Sequence, residues 1–438
     1  MMSIVDQVRT AGVVGAGGAG FPAWKKMSAR ADCVIANGSE CEPLLRVDQQ
    51  LMTLYACEIV EGMKLVMQST GATKGIIALK EKYHRAVIAL EGCPGRDGID
   101  IHLLENYYPA GDEQALVCDV LGKIVPEGGI PIDIGVVVQN VGTLVNICRA
   151  REGQPVTHRW LTVTGAVREP RTIIAPVGTP VGDAIAAAGG PTVAPYAVID
   201  GGPMMGSESK GVVMKTTTSV IVLPVDHKLV RYKRKPIDRD VKSARSACEG
   251  CRFCTDLCPR FLLGHALEPH AIMRAVAYQA VEEIDPAIVA QSYLCCQCGL
   301  CGMYACPTML SPERIIKAFI DGLKNSGAAP IHKRKRLEPH PERSFRRPPV
   351  HDLVSRFQLE EYDVDAPMVS EPLEVAAVNI PLKQHVGVAC GPLVKVGEKV
   401  AAGQMIGDVP EGGLGAPIHA SISGVVSSVS AEEIGIRA

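Results

Sequence analysis

Short apolar runs alternate with helical stretches through the first third of the chain. Val34-Ile35-Ala36, residues 75–79 and residues 135–138 are continuous apolar runs of buried-strand type, whereas residues 51–68 and 113–121 place apolar positions at helical spacing. Strands alternating with helices predict an α/β sheet with helices on its faces, assigned to residues 1–155. From Trp160 to about Pro224 the pattern becomes β-type. Residues 161–165, 197–200 and 219–223 read as strands around one helix at 181–188, a small module spanning 156–226. A charged bridge, 227–245, leads into a cysteine-rich segment, 240–325, with helices expected over 265–281 and 313–323. Residues 326–370 combine the basic run Lys333-Arg334-Lys335-Arg336, the prolines Pro339, Pro341, Pro348 and Pro349, and an acidic cluster, which predicts an exposed tether. The last module, 371–438, is again β-type. Its segments 392–400 and 416–426 have the paired-half pattern of a barrel-sandwich (lipoyl-like) fold. No lysine occupies the intervening hairpin at 409–414, so docking or support is expected there rather than carriage of a covalent group.

Composition narrows the function classes. A net charge of −2 and 4% aromatic residues argue against nucleic acid as a partner. No apolar run reaches the ~18 residues of a membrane helix, and the start lacks a signal-peptide pattern. A cytoplasmic chain is expected. The cysteines outside the two runs described next are scattered singly, which predicts buried thiols rather than a disulfide framework.

Eight cysteines form two runs: Cys248, Cys251, Cys254 and Cys258, then Cys295, Cys298, Cys301 and Cys306. Each run has three thiols at three-residue spacing and a fourth just before a proline. Bacterial ferredoxins hold paired [4Fe–4S] clusters in this way, the fourth cysteine of each run ligating the other cluster. Structural zinc is the alternative, but it would need paired cysteines closing one tetrahedron. The second run is irregular. Four residues separate Cys301 from Cys306, and Cys296 abuts Cys295, so Cys295 is the chosen ligand with a Cys296 register left open.

A glycine turn, residues 15–20, offers Gly15, Gly17 and Gly18 as a phosphate cradle, with Lys26 beyond it. Asn37, Ser39, Glu40 and Glu42 follow a strand end, where α/β sheets bind ligands. Tyr108, Gly111, Asp112 and Glu113, together with Asn140 and Thr143, supply polar groups from further loops.

In the order GAGGAGFP, NGSECEP, YPAGDEQAL and VVVQNVGT, these loops resemble the flavin domain shared by the complex I flavoprotein subunit and the RnfC component of the Rnf complex. The module after it is similar to their SLBB β-grasp domain. The barrel-sandwich segment lies at the C-terminus, an order that resembles the cobalamin reductases of propanediol-utilisation microcompartments. The resemblance implies an NADH-dependent oxidoreductase with FMN and two [4Fe–4S] clusters, and no catalytic side chain. Gly17, Gly18 and Lys26 would hold the FMN phosphate. Asn37, Ser39 and Glu40 would face the flavin and ribityl groups, and Glu42 would lie near the nicotinamide nucleotide. Electrons would pass first to the Cys248–Cys258 cluster, then to its partner and out to a corrinoid, for a corrinoid adenosyltransferase. Microcompartment shell proteins are a further implied partner. Two alternatives stay open: an input subunit of a membrane-associated Rnf-like complex, and a non-enzymatic metal-binding adaptor.

Overall fold

The structure is a computed structural model describing residues 2–280, 283–327 and 334–438; Val281 and Lys333, named above, lie outside them. The N-terminal sheet contains β1 (Cys33–Gly38), β2 (Lys74–Lys80), β3 (Ile99–Leu104) and β4 (Val136–Asn140), all parallel, in the order β3-β2-β1-β4. Parallel strands are covered on both faces, so they read as unbroken apolar runs rather than alternating ones. Strand β1 is buried along almost its whole length. The helical stretch expected at 51–68 is two helices, Val47–Leu54 and Ala56–Thr70. They break at Tyr55, whose ring lies beside Trp160 and under the Arg149 guanidinium. Helix Ala56–Thr70 packs on helix Val141–Arg151 through Gly62, where any Cβ would collide with the Leu144 carbonyl oxygen.

The second sheet has six strands. It contains β5 (His158–Gly165), β6 (Arg171–Pro176), β7 (Tyr196–Asp200), β8 (Ser207–Glu208), β9 (Ser219–Pro224) and β10 (Met368–Pro372), in the order β10-β6-β5-β9-β7-β8. Strand β10 comes from the segment expected to be a tether. That expectation is corrected for much of its length. Helix Val350–Phe357 buries Leu353, Val354 and Phe357 in the core of this sheet, joined by Leu359 and Tyr362. Arg334, from the basic run, is paired with the buried Glu127 at 2.5 Å. Apolar residues at helical spacing between the charges do the anchoring, and the charge runs concealed them.

The charged bridge likewise folds as two helices, Lys228–Arg234 and Ile237–Ala247. The second packs with helices Pro269–Tyr278 and Pro312–Asn325 around Ala244, Leu267, Ile272 and Ile316 to frame the cysteine loops. The C-terminal module is a sandwich of two antiparallel sheets built from β11 (Ala377–Pro381), β12 (Gly391–Pro392), β13 (Lys399–Val400), β14 (Met405–Asp408), β15 (Ile418–His419), β16 (Gly424–Val429) and β17 (Glu433–Arg437). Their orders are β11-β17-β16-β13 and β12-β14-β15. It docks on the N-terminal domain through Trp24 Nε1, which donates to the Gly415 carbonyl at 2.8 Å. Lys215 adds a bridge, its buried Nζ donating to the carbonyls of Gly12 and Pro417. Cys57 and Cys93 form a disulfide, which corrects their expected role as isolated thiols. They come together because a helix and a strand–helix turn fold back across 36 residues of sequence. No helix among the described residues is long and apolar enough to cross a membrane.

Candidate cofactor sites

Strands β1 and β4 are neighbours, although the chain visits β2 and β3 between them. Their boundary is therefore the point where the strand order reverses, and open α/β sheets bind ligands at such a point, in a crevice beyond the carboxyl ends of the strands. Asn37 and Asn140 are register partners at that edge. The glycine turn is tied to the same edge by the Ala16 N–H, which donates to Thr143 Oγ1 at 2.8 Å. A Cβ on Gly17 would lie 3.6 Å from the Asn140 side chain, while the Cβ position of Gly18 (φ +106°) faces open space. Arg159, buried beneath, donates to the Ala16 carbonyl at 2.6 Å and fixes the base of the turn.

Most of the polar residues singled out in the sequence converge here. Asn37 Nδ2 donates to the Gly111 carbonyl at 2.9 Å, joining the NGSECEP and YPAGDEQAL loops. Ser39 is fully buried and its Oγ has no partner, an orphaned hydroxyl that a bound flavin would satisfy. Glu40 accepts from the backbone N–H of Asp48 and Gln49. Burial pushes both Glu40 and Asp48 above the usual carboxylate range, and Asp48 is raised further by the neighbouring Glu40 charge. Asn140 bridges this pair to the turn: its Nδ2 donates to Asp48 at 2.7 Å and its Oδ1 accepts from the Gly142 N–H. Lys26 reaches the middle of β4, donating to the Val138 carbonyl at 2.9 Å and pairing with Glu113 at 2.6 Å. Glu42 faces the second sheet and accepts from the N–H groups of Met204 and Met205. Gly202 leaves the room for that carboxylate, since a Cβ there would overlap it.

The eight cysteines line two cavities, and the lining crosses between the runs. Cys248, Cys251 and Cys254 share the first cavity with Cys306. Cys295, Cys296, Cys298 and Cys301 share the second with Cys258. The exchange of fourth cysteines matches the ferredoxin pattern. Among the described residues no three ligating side chains converge on a point that would hold a single metal ion. Four or five thiols lining each cavity, with the fourth exchanged between the runs, suit a polynuclear cluster better than one zinc tetrahedron. Burial pushes the thiols of Cys254 and Cys258 up to about 12, and neighbouring thiols add to the shift. Such a group of thiolates needs a strong positive counter-charge, which iron in the cavities would supply.

The wider step in the second run has a steric basis. A Cβ on Gly302 would overlap both the Glu313 carboxylate and the Tyr232 hydroxyl. A glycine is therefore what lets the extra residue pass beneath that hydrogen-bonded pair. Cys295 and Cys296 both border the cavity. Cys295 Sγ accepts from the backbone and side-chain N–H groups of Gln297 at 3.3 and 3.2 Å.

One contact joins the expected flavin loop to the second cysteine run, not the first. The Tyr108 hydroxyl, fully buried, donates to the Cys298 carbonyl at 2.8 Å. Four residues on, Asp112 forms a two-pronged ion pair with Arg260, both bonds at 2.9 Å. The flavin loop thus abuts the second cavity, not the one holding most of the first run. Arg260 follows Cys258 and Pro259, a position that the sequence marks without revealing its partner. Asp48 and Arg159 are further residues at this edge that no motif marks, because their roles depend on partners distant in the chain.

Family models match the same four units. A Nuo51 FMN-binding domain covers residues 8–149, an SLBB domain 161–208, a 4Fe-4S dicluster domain 247–311 and an RnfC barrel sandwich hybrid domain 364–436. Cobalamin reductase PduS of Citrobacter freundii is 44% identical over 440 residues, 99% of this chain and 96% of the relative. The chain belongs to that family. The Salmonella typhimurium member is 44% identical over 98% of this chain and 95% of its own. A more distant relative, one component of the Na(+)-translocating ferredoxin:NAD(+) oxidoreductase complex of Acetobacterium woodii, is 37% identical over 59% of this chain and 58% of its own. As in its family, the chain carries an FMN-binding domain and a [4Fe–4S] dicluster domain.

Proposed function

We propose that the chain oxidises NADH and delivers the electrons singly to a corrinoid, reducing cob(III)alamin to cob(II)alamin and onward to cob(I)alamin. The observation that carries this reading is the Tyr108–Cys298 contact, which joins the flavin crevice directly to a thiol-lined cavity. When bound, FMN exchanges electrons in pairs with the nicotinamide and singly with iron–sulfur centres. The chain's own residues bind and orient. Gly17, Gly18 and Lys26 would take the phosphate, and Asn37, Ser39 and Glu40 the flavin body. Gly15, Gly111, Glu113, Asn140 and Thr143 hold the loops around it. Glu42 would border the nicotinamide side, held there by the Met204–Met205 loop, and Tyr108 and Asp112 keep the second cavity seated. Cys258, Cys295, Cys298 and Cys301 would hold the cluster nearer the flavin, and Cys248, Cys251, Cys254 and Cys306 the farther one. No side chain is required as a general base. The two PduS relatives are named cobalamin reductases, which supports a corrinoid as acceptor; in this reading a corrinoid adenosyltransferase would consume the product, and the chain would work within a propanediol microcompartment beside its shell proteins.

The test is NADH oxidation by anaerobic holoprotein with cobalamin, a ferredoxin or a quinone supplied in turn. Turnover with cobalamin is expected. Turnover with ferredoxin or quinone alone would instead favour a place beside the ion-translocating relatives.

A further inference from the structure

The two cavities differ in exposure. In the second, Cys258, Cys298 and Cys301 are buried, and Tyr108 and Arg260 wall it off on the flavin side. In the first, Cys251 is exposed, and Glu249, Gly250, Arg252, Phe253 and Thr308 around it are exposed as well. One cavity faces inward to the electron donor and the other opens to the surface. Resting on the corrinoid reading above, we infer that the corrinoid binds at the rim formed by residues 249–253 and Thr308, and is reduced there rather than in the flavin crevice.

The rim suits that ligand. Phe253, two residues after Cys251, presents an apolar ring that is 52% exposed, a surface on which the flat face of a corrin macrocycle can lie. Arg252 stands next to it, its guanidinium 47% exposed despite contacts with Asp256 and Glu268, within the chemistry needed to meet the phosphodiester of a nucleotide-bearing corrinoid. The backbone at Gly250 (φ +64°) turns away with nothing within 4 Å of its Cβ position, so a bulky ring can approach closely. The flavin crevice, by contrast, is bounded by the glycine turn, the second sheet and the C-terminal module, whose Val386 N–H donates to the Gly20 carbonyl at 3.1 Å. A cluster held by Cys248, Cys251, Cys254 and Cys306 would supply one electron to each corrinoid, taking Co(III) to Co(II). One NADH, giving two electrons and releasing a proton as NAD+ forms, serves two corrinoids.

The experiment is hydrogen exchange on anaerobic holoprotein with and without hydroxocobalamin, together with a spectral binding titration. Protection over residues 248–254 and 307–309 is expected. Protection confined to residues 15–20 and 140–143 would overturn the inference. Phe253→Glu should weaken hydroxocobalamin binding by about fivefold or more, and Phe253→Leu should recover most of it. If Phe253→Glu loses its clusters, Arg252→Gln serves instead, with a loss of affinity expected from removal of the charge that meets the phosphodiester. Unchanged affinity in the variant that retains its clusters would refute the site. Wild-type protein that neither binds cobalamin nor is reduced by NADH would remove the corrinoid reading itself, a separate failure.

Discussion

Replacing Arg260 with methionine should uncouple the flavin domain from the clusters before it unfolds either one. Arg260 and Asp112 are 9% and 14% exposed at their side chains and share two bonds of 2.9 Å. Removing one partner of such a buried pair leaves the other charge uncompensated, at a cost of about 3–5 kcal/mol. Asp112 is partly protected, because its carboxylate also accepts from the Ala115 N–H as the N-cap of helix Glu113–Leu121. That places the expected loss for Arg260→Met near the lower figure. Asp112→Ala removes the ion pair and the cap together, adding about 1 kcal/mol. A double-mutant cycle read from anaerobic denaturant midpoints should give a coupling of about 2 kcal/mol or more, within the range for residues in one charged network. The functional readout is rapid mixing with NADH, in which flavin bleaching should persist while bleaching of the iron–sulfur shoulder slows. A coupling below about 0.5 kcal/mol, the level of independent sites, would refute the reasoning. So would undiminished cluster reduction in Arg260→Met.

Three further outcomes follow from particular residues. Ser39→Ala removes a buried hydroxyl with no protein partner, so apoprotein stability should not fall. FMN affinity should drop by roughly fivefold to tenfold, the value of one hydrogen bond, as measured by fluorescence titration. Cys295→Ser should lower the iron content of anaerobically purified protein, whereas Cys296→Ser should not; the reverse result would assign the ligand to Cys296. Burial holds His419 at about 3 and His265 at about 4, below the ordinary imidazole value. The unfolded chain therefore binds more protons as pH falls from about 6.5, and stability is lost through that window at up to about 1.4 kcal/mol per unit for each group. Thermal unfolding measured from pH 7 to pH 4 should show that slope, and His419→Gln should flatten it.

The cysteine runs and the β1–β4 crevice are legible in the sequence because local spacing decides both. Three-residue steps before a proline specify cluster loops wherever they occur, and continuous apolar strands specify a covered parallel sheet. Strand β3 escapes both patterns because its edge position leaves Asp100 and the middle of the strand partly open to solvent. The expected tether fails because residues 350–362 are anchored by a few apolar side chains set between charges. Which thiol cavity the flavin loop meets is out of reach for a different reason. It is set by Tyr108 meeting Cys298 and Asp112 meeting Arg260, pairs 190 and 148 residues apart, and neither partner carries a local mark of the other.

The central claim, a serial path from NADH through the flavin crevice and both thiol cavities to a corrinoid, is tested most directly by one anaerobic stopped-flow experiment. Holoprotein is mixed with NADH and hydroxocobalamin, and the flavin, iron–sulfur and corrinoid absorbances are followed together. Flavin bleaching should come first, cluster bleaching second, and loss of the Co(III) spectrum last. Corrinoid reduction that proceeds at full rate in a variant whose exposed cavity has lost its cluster, such as Cys251→Ala, would contradict the account.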